Sequence, residues 1–163
     1  MIFSKGRNSH NPPVFKYDGE IIEMVNQFNY LGIVFSRTCT FSAALNNNVK
    51  KATIAMYDVL KKGRKFNLTV SCIYDLFNKI VVPILLYGCE IWGYSNIQII
   101  ERLHLKFCKM LLNVKKSTPN YMIYGELGIK PLIYTIKSRM VNYWTRILTS
   151  DDCRYNKILY NVI

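Results

Sequence analysis

The feature that most constrains the fold is a change of hydrophobic period at Phe41. Before it, short apolar and β-branched runs are broken by the pair Asp18-Gly19. After it, apolar residues recur every three or four positions through most of the remaining chain. A period near two supports strands and a period of 3.6 supports helices, so the two parts cannot share one kind of element. The stretch "VFKYDGEIIEMV" reads as a hairpin with arms Val14–Tyr17 and Glu20–Glu23. Asp-Gly suits a type I′ turn, which needs positive φ twice. "FNYLGIVFS" is rich in β-branched and aromatic residues and reads as one further strand, and "MIFS" is also strand-like.

From Phe41 the spacing predicts a series of helices. Leu45, Val49, Ala52, Met56 and Val59 share one face of the first, with Ser42 or Thr40 as cap and a stop near Gly63. Ile73, Phe77, Ile80, Ile84, Tyr87 and Ile91 mark a second, which Pro83 should kink or split. Gly88 in this stretch would let another segment approach closely. Ile100, Leu103, Phe107, Met110 and Leu111 mark a third, with Arg102, Lys106 and Lys109 as a basic stripe on a neighbouring face. Thr118-Pro119 opens a short helix that Gly128 ends. Leu132, Ile136, Met140, Tyr143 and Ile147 give a fifth helix, from which Arg139 and Arg146 project, and Ser150-Asp151-Asp152 opens a weak last element. The expected fold is mostly α, with a small antiparallel β region over residues 1–40 followed by a basic helical bundle over residues 41–163.

Charge follows the same division. Of a net charge of +12, residues 1–40 carry +1 and residues 41–163 carry +11. Such an excess predicts a polyanionic partner, nucleic acid or an anionic membrane surface, and places the attraction on the helical part. Lys61, Lys62, Arg64 and Lys65 are the densest basic run; Lys115-Lys116 and the Lys106/Lys109 stripe follow. Each could contact phosphates or simply be solvated, lysines at a helix C-terminus being favoured by the dipole in either case. Membrane-surface binding is the weaker option, because the basic stripes are short and the apolar faces are committed to a core.

The five cysteines, at 39, 72, 89, 108 and 153, have no C-x-x-C spacing and sit in apolar or helical contexts. They read as reduced, mostly buried thiols of an intracellular protein, nuclear or cytoplasmic. His10 and His104 lie far apart and near no cysteine pair, so no metal site is expected. Residues 1–13 lack the apolar core of a secretory signal, and the apolar run at 80–89 is too short to span a bilayer.

That run continues into "YGCEIWG", which embeds Glu90 among apolar residues. An unpaired buried carboxylate is costly, so Glu90 should pair with Arg102, Arg139 or Arg146, or face water. No second carboxylate or histidine lies at a fixed helical offset for acid–base work. Glu126 in "YGELG" reads equally as a polar anchor or an exposed helix charge. Tyr87, Trp92, Tyr143 and Trp144 sit amid apolar residues and read as core rather than as a base-stacking platform.

Seven segments occur in an order that carries a resemblance. They are "MIFSKGRN", "IEMVNQFNYLGIVFS", "KKATIAMYDVL", "PILLYGCEIWG", "IERLHLKFCKMLLNV", "NYMIYGELGIKPL" and "RMVNYW". Together they resemble the C-terminal part of reverse transcriptases of non-LTR, LINE-type retrotransposons. The resemblance implies that Tyr30, Leu31 and Gly32 match the primer-grip hairpin at the end of the palm. It implies that the helices from 41 onward match the thumb, which holds template–primer duplex by its backbone. Lys61, Lys62, Arg64, Lys65, Lys106, Lys109, Lys115 and Lys116 are then the candidate phosphate contacts. The family's polymerase centre needs palm carboxylates, including a Y/F-x-D-D turn, to hold two divalent metals. That portion would precede "MIFSKGRN"; the one Asp-Asp pair here, Asp151-Asp152, suits a helix start instead.

The expectation is therefore a non-catalytic polymerase fragment with no catalytic residue, no cofactor and no small-molecule substrate. Its partners would be RNA–DNA or duplex backbone and the remainder of a polymerase. The competing expectation is an inert transposon-derived remnant, or a protein-interaction module without nucleic acid binding.

Overall fold

The computed structural model describes residues 14–162 apart from Met24, Cys39, Ser95 and Asn96. The strand-like "MIFS", His10 and Cys39 lie outside the described residues. The chain divides into two units, Met1–Asn47 and Asn48–Ile163.

The first unit holds two separate hairpins. β1 (Lys16–Tyr17) and β2 (Glu20–Ile21) pair antiparallel across Asp18-Gly19, with φ of +50° and +83° at the turn. The second hairpin corrects the expectation of a single strand over "FNYLGIVFS". β3 (Gln27–Tyr30) and β4 (Ile33–Ser36) pair antiparallel, and Leu31-Gly32 is the turn, with φ of +48° and +84°. Leucine is a poor turn former, because a Cβ in the left-handed region crowds the following carbonyl. The glycine beside it was the available signal.

The cap of α1 (Ser42–Lys65) falls between the two expected positions: the Phe41 carbonyl accepts from the Leu45 N–H at 2.9 Å. Phe41 thus occupies the capping position, and the Thr40 hydroxyl bonds that of Thr38 at 3.0 Å. Nor does α1 stop at Gly63. The glycine lies inside the helix because the Ile73 side chain fills the space a Cβ would take, 2.7 Å from its ideal position. Asn67, at φ +49°, ends the helix instead. The Leu68 N–H reaches the Gly63 carbonyl and the Asn67 N–H the Arg64 carbonyl, a Schellman closure built on asparagine.

The expected second helix is split, and the split turns its buried face. α2 (Val70–Leu76) is capped by the Thr69 hydroxyl, which accepts from the Cys72 N–H at 3.3 Å. A π-helical turn follows over Phe77–Val81, where the Val82 N–H donates five residues back to Phe77. Pro83 lacks the N–H that an α-helix would use at that turn, so the ladder relaxes into the wider ring. The extra residue moves every later buried position on by about one. Val81, Leu85 and Cys89 are buried, while Ile80, Tyr87 and Ile91 face out. α3 (Val82–Leu85) gives way to a turn, and Gly88, in the left-handed region at φ +72°, holds the capping position of α4 (Cys89–Trp92). The break exposes the Tyr87 carbonyl, which accepts from Trp92 Nε1 at 2.9 Å and Asn48 Nδ2 at 3.0 Å. Both donors are buried, so this one carbonyl satisfies two groups that would otherwise be unpaired. Another helix closes in at Gly93. A Cβ there would lie 2.6 Å from Ile136 Cγ2 and Met140 Sδ.

α5 (Gln98–Leu111), α6 (Asn120–Leu127), α7 (Leu132–Thr149) and α8 (Tyr155–Val162) complete the second unit. Pro119 holds the capping position of α6 with no side-chain bond, so the expected Thr118 cap is not formed. The core is aromatic at its centre, where Phe77 and Phe107 stack with centroids 3.9 Å apart beside His104 and Tyr74; Met56, Leu85, Trp92, Ile100 and Ile136 are also fully buried. The aromatic expectation holds for Trp92 alone. Tyr87 is exposed in the turn before α4, and Tyr143 and Trp144 are exposed because α7 is covered on one face while its apolar residues run right round it. The thiols divide evenly among the described residues: Cys89 and Cys108 are buried, Cys72 and Cys153 exposed on outward-facing positions. Among the described residues no helix is long and apolar enough to cross a membrane.

Candidate nucleic-acid interface

Five basic residues of the second unit line one cleft. Arg102, Lys106 and Lys109 stand at i, i+4 and i+7 on α5, one face of the helix. Arg64 reaches the same cleft from the last turn of α1, and Lys116 from the loop after α5. The cleft holds about 560 Å³, and no carboxylate is among the residues that line it. Leu105, Met110 and Val114 give it an apolar floor; Asn113 and Asn120 add two amides.

Local structure explains why these groups converge. α5 ends at Asn113, φ +55°, where the Val114 N–H turns back to the Lys109 carbonyl at 3.1 Å. This closes the helix as Asn67 closes α1, and it folds the following loop back along the basic stripe. Lys109 Nζ then donates to the Lys116 carbonyl at 2.9 Å, tying the loop to the helix. Lys106 Nζ lies 5.1 Å from the Tyr57 ring centroid, a cation–π contact that orients it from α1.

The candidates named from sequence separate into two groups. Arg64, Lys106, Lys109 and Lys116 line the cleft. Lys61, Lys62, Lys65 and Lys115 are exposed and lie outside it; Lys65 rests over Phe66 at 5.6 Å. Tyr30, Leu31 and Gly32 form the tip of the second hairpin in the other unit. Sequence reasoning missed Asn113 and Asn120, and read Arg102 as part of the stripe and as a possible partner of Glu90 without naming it a phosphate contact. The i, i+4, i+7 spacing was the signal that could have added Arg102.

α5 is held in place by a carboxylate the sequence reading passed over. Glu101 Oε1 bonds His104 Nδ1 at 3.2 Å and accepts from the Tyr124 hydroxyl, while Oε2 accepts from the Leu132 N–H at 3.0 Å. One side chain therefore joins α5, α6 and the first turn of α7, where negative charge suits the helix dipole. Burial pushes its carboxyl up, but the bonds from His104 and Tyr124 outweigh this and hold it below the usual carboxylate range. An ionised carboxylate only accepts, so His104 Nδ1 carries a proton; Nε2 is buried without a partner. Burial, then the same carboxylate, push the Tyr124 hydroxyl up. Burial and Glu101 push the Cys108 thiol up to about 12, so it is inert.

Glu90 belongs to a second, smaller cleft of about 330 Å³ between α4 and α7, shared with Arg139 and Arg146. Neither arginine closes to ion-pair distance, so the carboxylate is half-exposed and partly wet rather than tightly paired. Arg102 lies on the basic cleft instead. Burial, and then Glu90, raise the neighbouring Cys89 thiol against the pull of Arg139. Glu126 is exposed, the plainer of its two readings.

Comparison with known proteins now bears on this cationic surface. The chain is similar to RNA-directed DNA polymerases of transposable elements. It is 25% identical over 142 residues, 83% of the chain, to a probable RNA-directed DNA polymerase from transposon X-element of Drosophila melanogaster. It is 25% identical over 112 residues, 68% of the chain, to the RNA-directed DNA polymerase from mobile element jockey of the same species. It is 29% identical over 91 residues, 52% of the chain, to a probable RNA-directed DNA polymerase from transposon BS, also of D. melanogaster. These alignments span 15%, 12% and 10% of those proteins. No family model matches the chain, and no solved structure matches it.

Proposed function

We propose that the chain is a non-catalytic region of a retrotransposon-type RNA-directed DNA polymerase that holds template–primer nucleic acid by its backbone. In this reading residues 1–40 are the end of the palm with the primer-grip hairpin, and residues 41–163 are the thumb and the helices after it. The observation that carries it is the cleft of Arg64, Arg102, Lys106, Lys109 and Lys116, free of lining carboxylates, on a helical part with a charge of +11. Such contacts fix position on a strand without reading its sequence. The non-catalytic part rests on the carboxylates present: Asp151 and Asp152 are exposed ahead of α8, and Glu101 is committed to holding three helices together.

Binding of the full chain to a primer–template duplex, measured over a range of salt, tests the reading. The expected result is saturable binding whose logarithm falls with the logarithm of salt at a slope near −0.9 per phosphate contacted. Lys109→Gln should weaken binding and reduce that slope by roughly 0.9. Primer extension with magnesium should give no incorporation, and template-dependent extension by the isolated chain would remove the non-catalytic claim.

One observation favours the competing reading of a protein-interaction module. The outer face of α7 carries Tyr134, Val141, Trp144 and Leu148, all exposed, and Trp144 alone is 51% exposed. Absence of binding to duplex at low salt would favour it.

A further inference from the structure

Holding a sugar–phosphate chain requires charge; it does not require a hollow. The α1–α5 cleft has both, and its hollow has the wrong chemistry for phosphate alone. Leu105, Met110 and Val114 line it between the cations, and the open cleft of about 560 Å³ has room for one base-sized body. Its amides, Asn113 and Asn120, offer acceptors as well as donors, and a phosphate uses only donors. Flat aromatic-edged ligands with both donors and acceptors on their rims, carried on an anionic chain, match all three features. Nucleobases of an unpaired strand have this composition, and bases freed from pairing are commonly enclosed this way.

We propose, resting on the backbone-binding reading above, that this cleft takes one unpaired nucleotide. Its base lies on the Leu105–Met110–Val114 floor with its edge toward Asn113 and Asn120. The flanking phosphates lie on the cations of α5. The preferred ligand is therefore a duplex bearing an unpaired nucleotide, not a fully paired one. The Asn113 backbone is accounted for by its helix-ending role; its side chain and that of Asn120 have no hydrogen-bond partner among the described residues.

The experiment compares three probes with the full chain at one salt concentration: a blunt duplex, the same duplex with one unpaired terminal nucleotide, and that probe with an abasic residue at the unpaired position. The expected affinity ratio of unpaired to blunt is about tenfold, the size of one base-stacking contact. The abasic probe should return to the blunt value. Val114→Trp, which fills the floor from an exposed position, should bring the ratio close to one, and Asn120→Ala should lower it about threefold. Lys109→Gln should weaken all three probes alike and leave the ratio standing. Circular dichroism confirms that each variant keeps its helices. Equal affinities for the three probes, with salt-dependent duplex binding intact, overturn this inference and leave the backbone reading in place. A ratio that survives Val114→Trp overturns it as well. Loss of salt-dependent binding altogether removes both.

Discussion

Glu101 shows how much one side chain decides. It bonds His104 on its own helix, the Tyr124 hydroxyl of α6 and the Leu132 N–H of α7. Replacing it by alanine leaves a buried histidine, a tyrosine hydroxyl and a helix N–H unpaired. The expected loss is about 3 kcal/mol of unfolding free energy, measured by urea denaturation; Tyr124→Phe should lose about 1 kcal/mol. The pH dependence follows from the sign of its shift. A carboxyl held below its unfolded value, near 4.3 for glutamate, stabilises the fold above that pH. The contribution is lost as pH falls through the lower folded value. Glu101→Gln should therefore flatten the acid limb of the stability–pH curve and leave neutral and alkaline pH parallel to wild type.

At the scale of elements, endings and breaks matter more than propensity. The hydrophobic face of α1 was legible from its spacing, but its end was not, because Ile73 makes use of the missing Cβ of Gly63 and Asn67 takes over the turn. The face of the 70–92 stretch was legible as far as Phe77 and shifted beyond it, because a π-turn adds a residue that no fixed period anticipates. The β3–β4 hairpin was hidden from the residue pattern by a leucine in a left-handed position, though the family resemblance implied a hairpin there. Leu31→Asn should relieve that strain and stabilise the hairpin by about 1 kcal/mol, read as a rise in thermal midpoint. Gly93→Ala should act in the opposite direction. A methyl group would meet the Cys89 carbonyl, Ile136 and Met140, at a cost of about 1–3 kcal/mol as α4 and α7 are forced apart.

For the molecule as a whole, charge is the dominant property. An excess of +11 over residues 41–163 repels itself in the folded state. Raising sodium chloride from 50 to 500 mM, which shortens the Debye length from roughly 14 Å to about 4 Å, should raise the thermal midpoint by a few degrees. A duplex that binds the folded chain should raise it further, in proportion to its free concentration. A midpoint that ignores both would contradict a clustered cationic surface.

Sequence alone determined the class of fold, the place where strands yield to helices, and the side of the chain that carries the charge, since period, turn chemistry and composition are local properties. Tertiary structure decided which cations share a cleft. Arg64 and Lys116 come from outside α5 and share a cleft with Arg102 only in the folded chain, Lys116 because the closure at Asn113 folds its loop back along the helix. It also decided which glutamate is structural. Glu90 has the more suggestive neighbours in sequence, but Glu101 has the donors, and donors arriving from 23 and 31 residues away leave no mark on a local pattern.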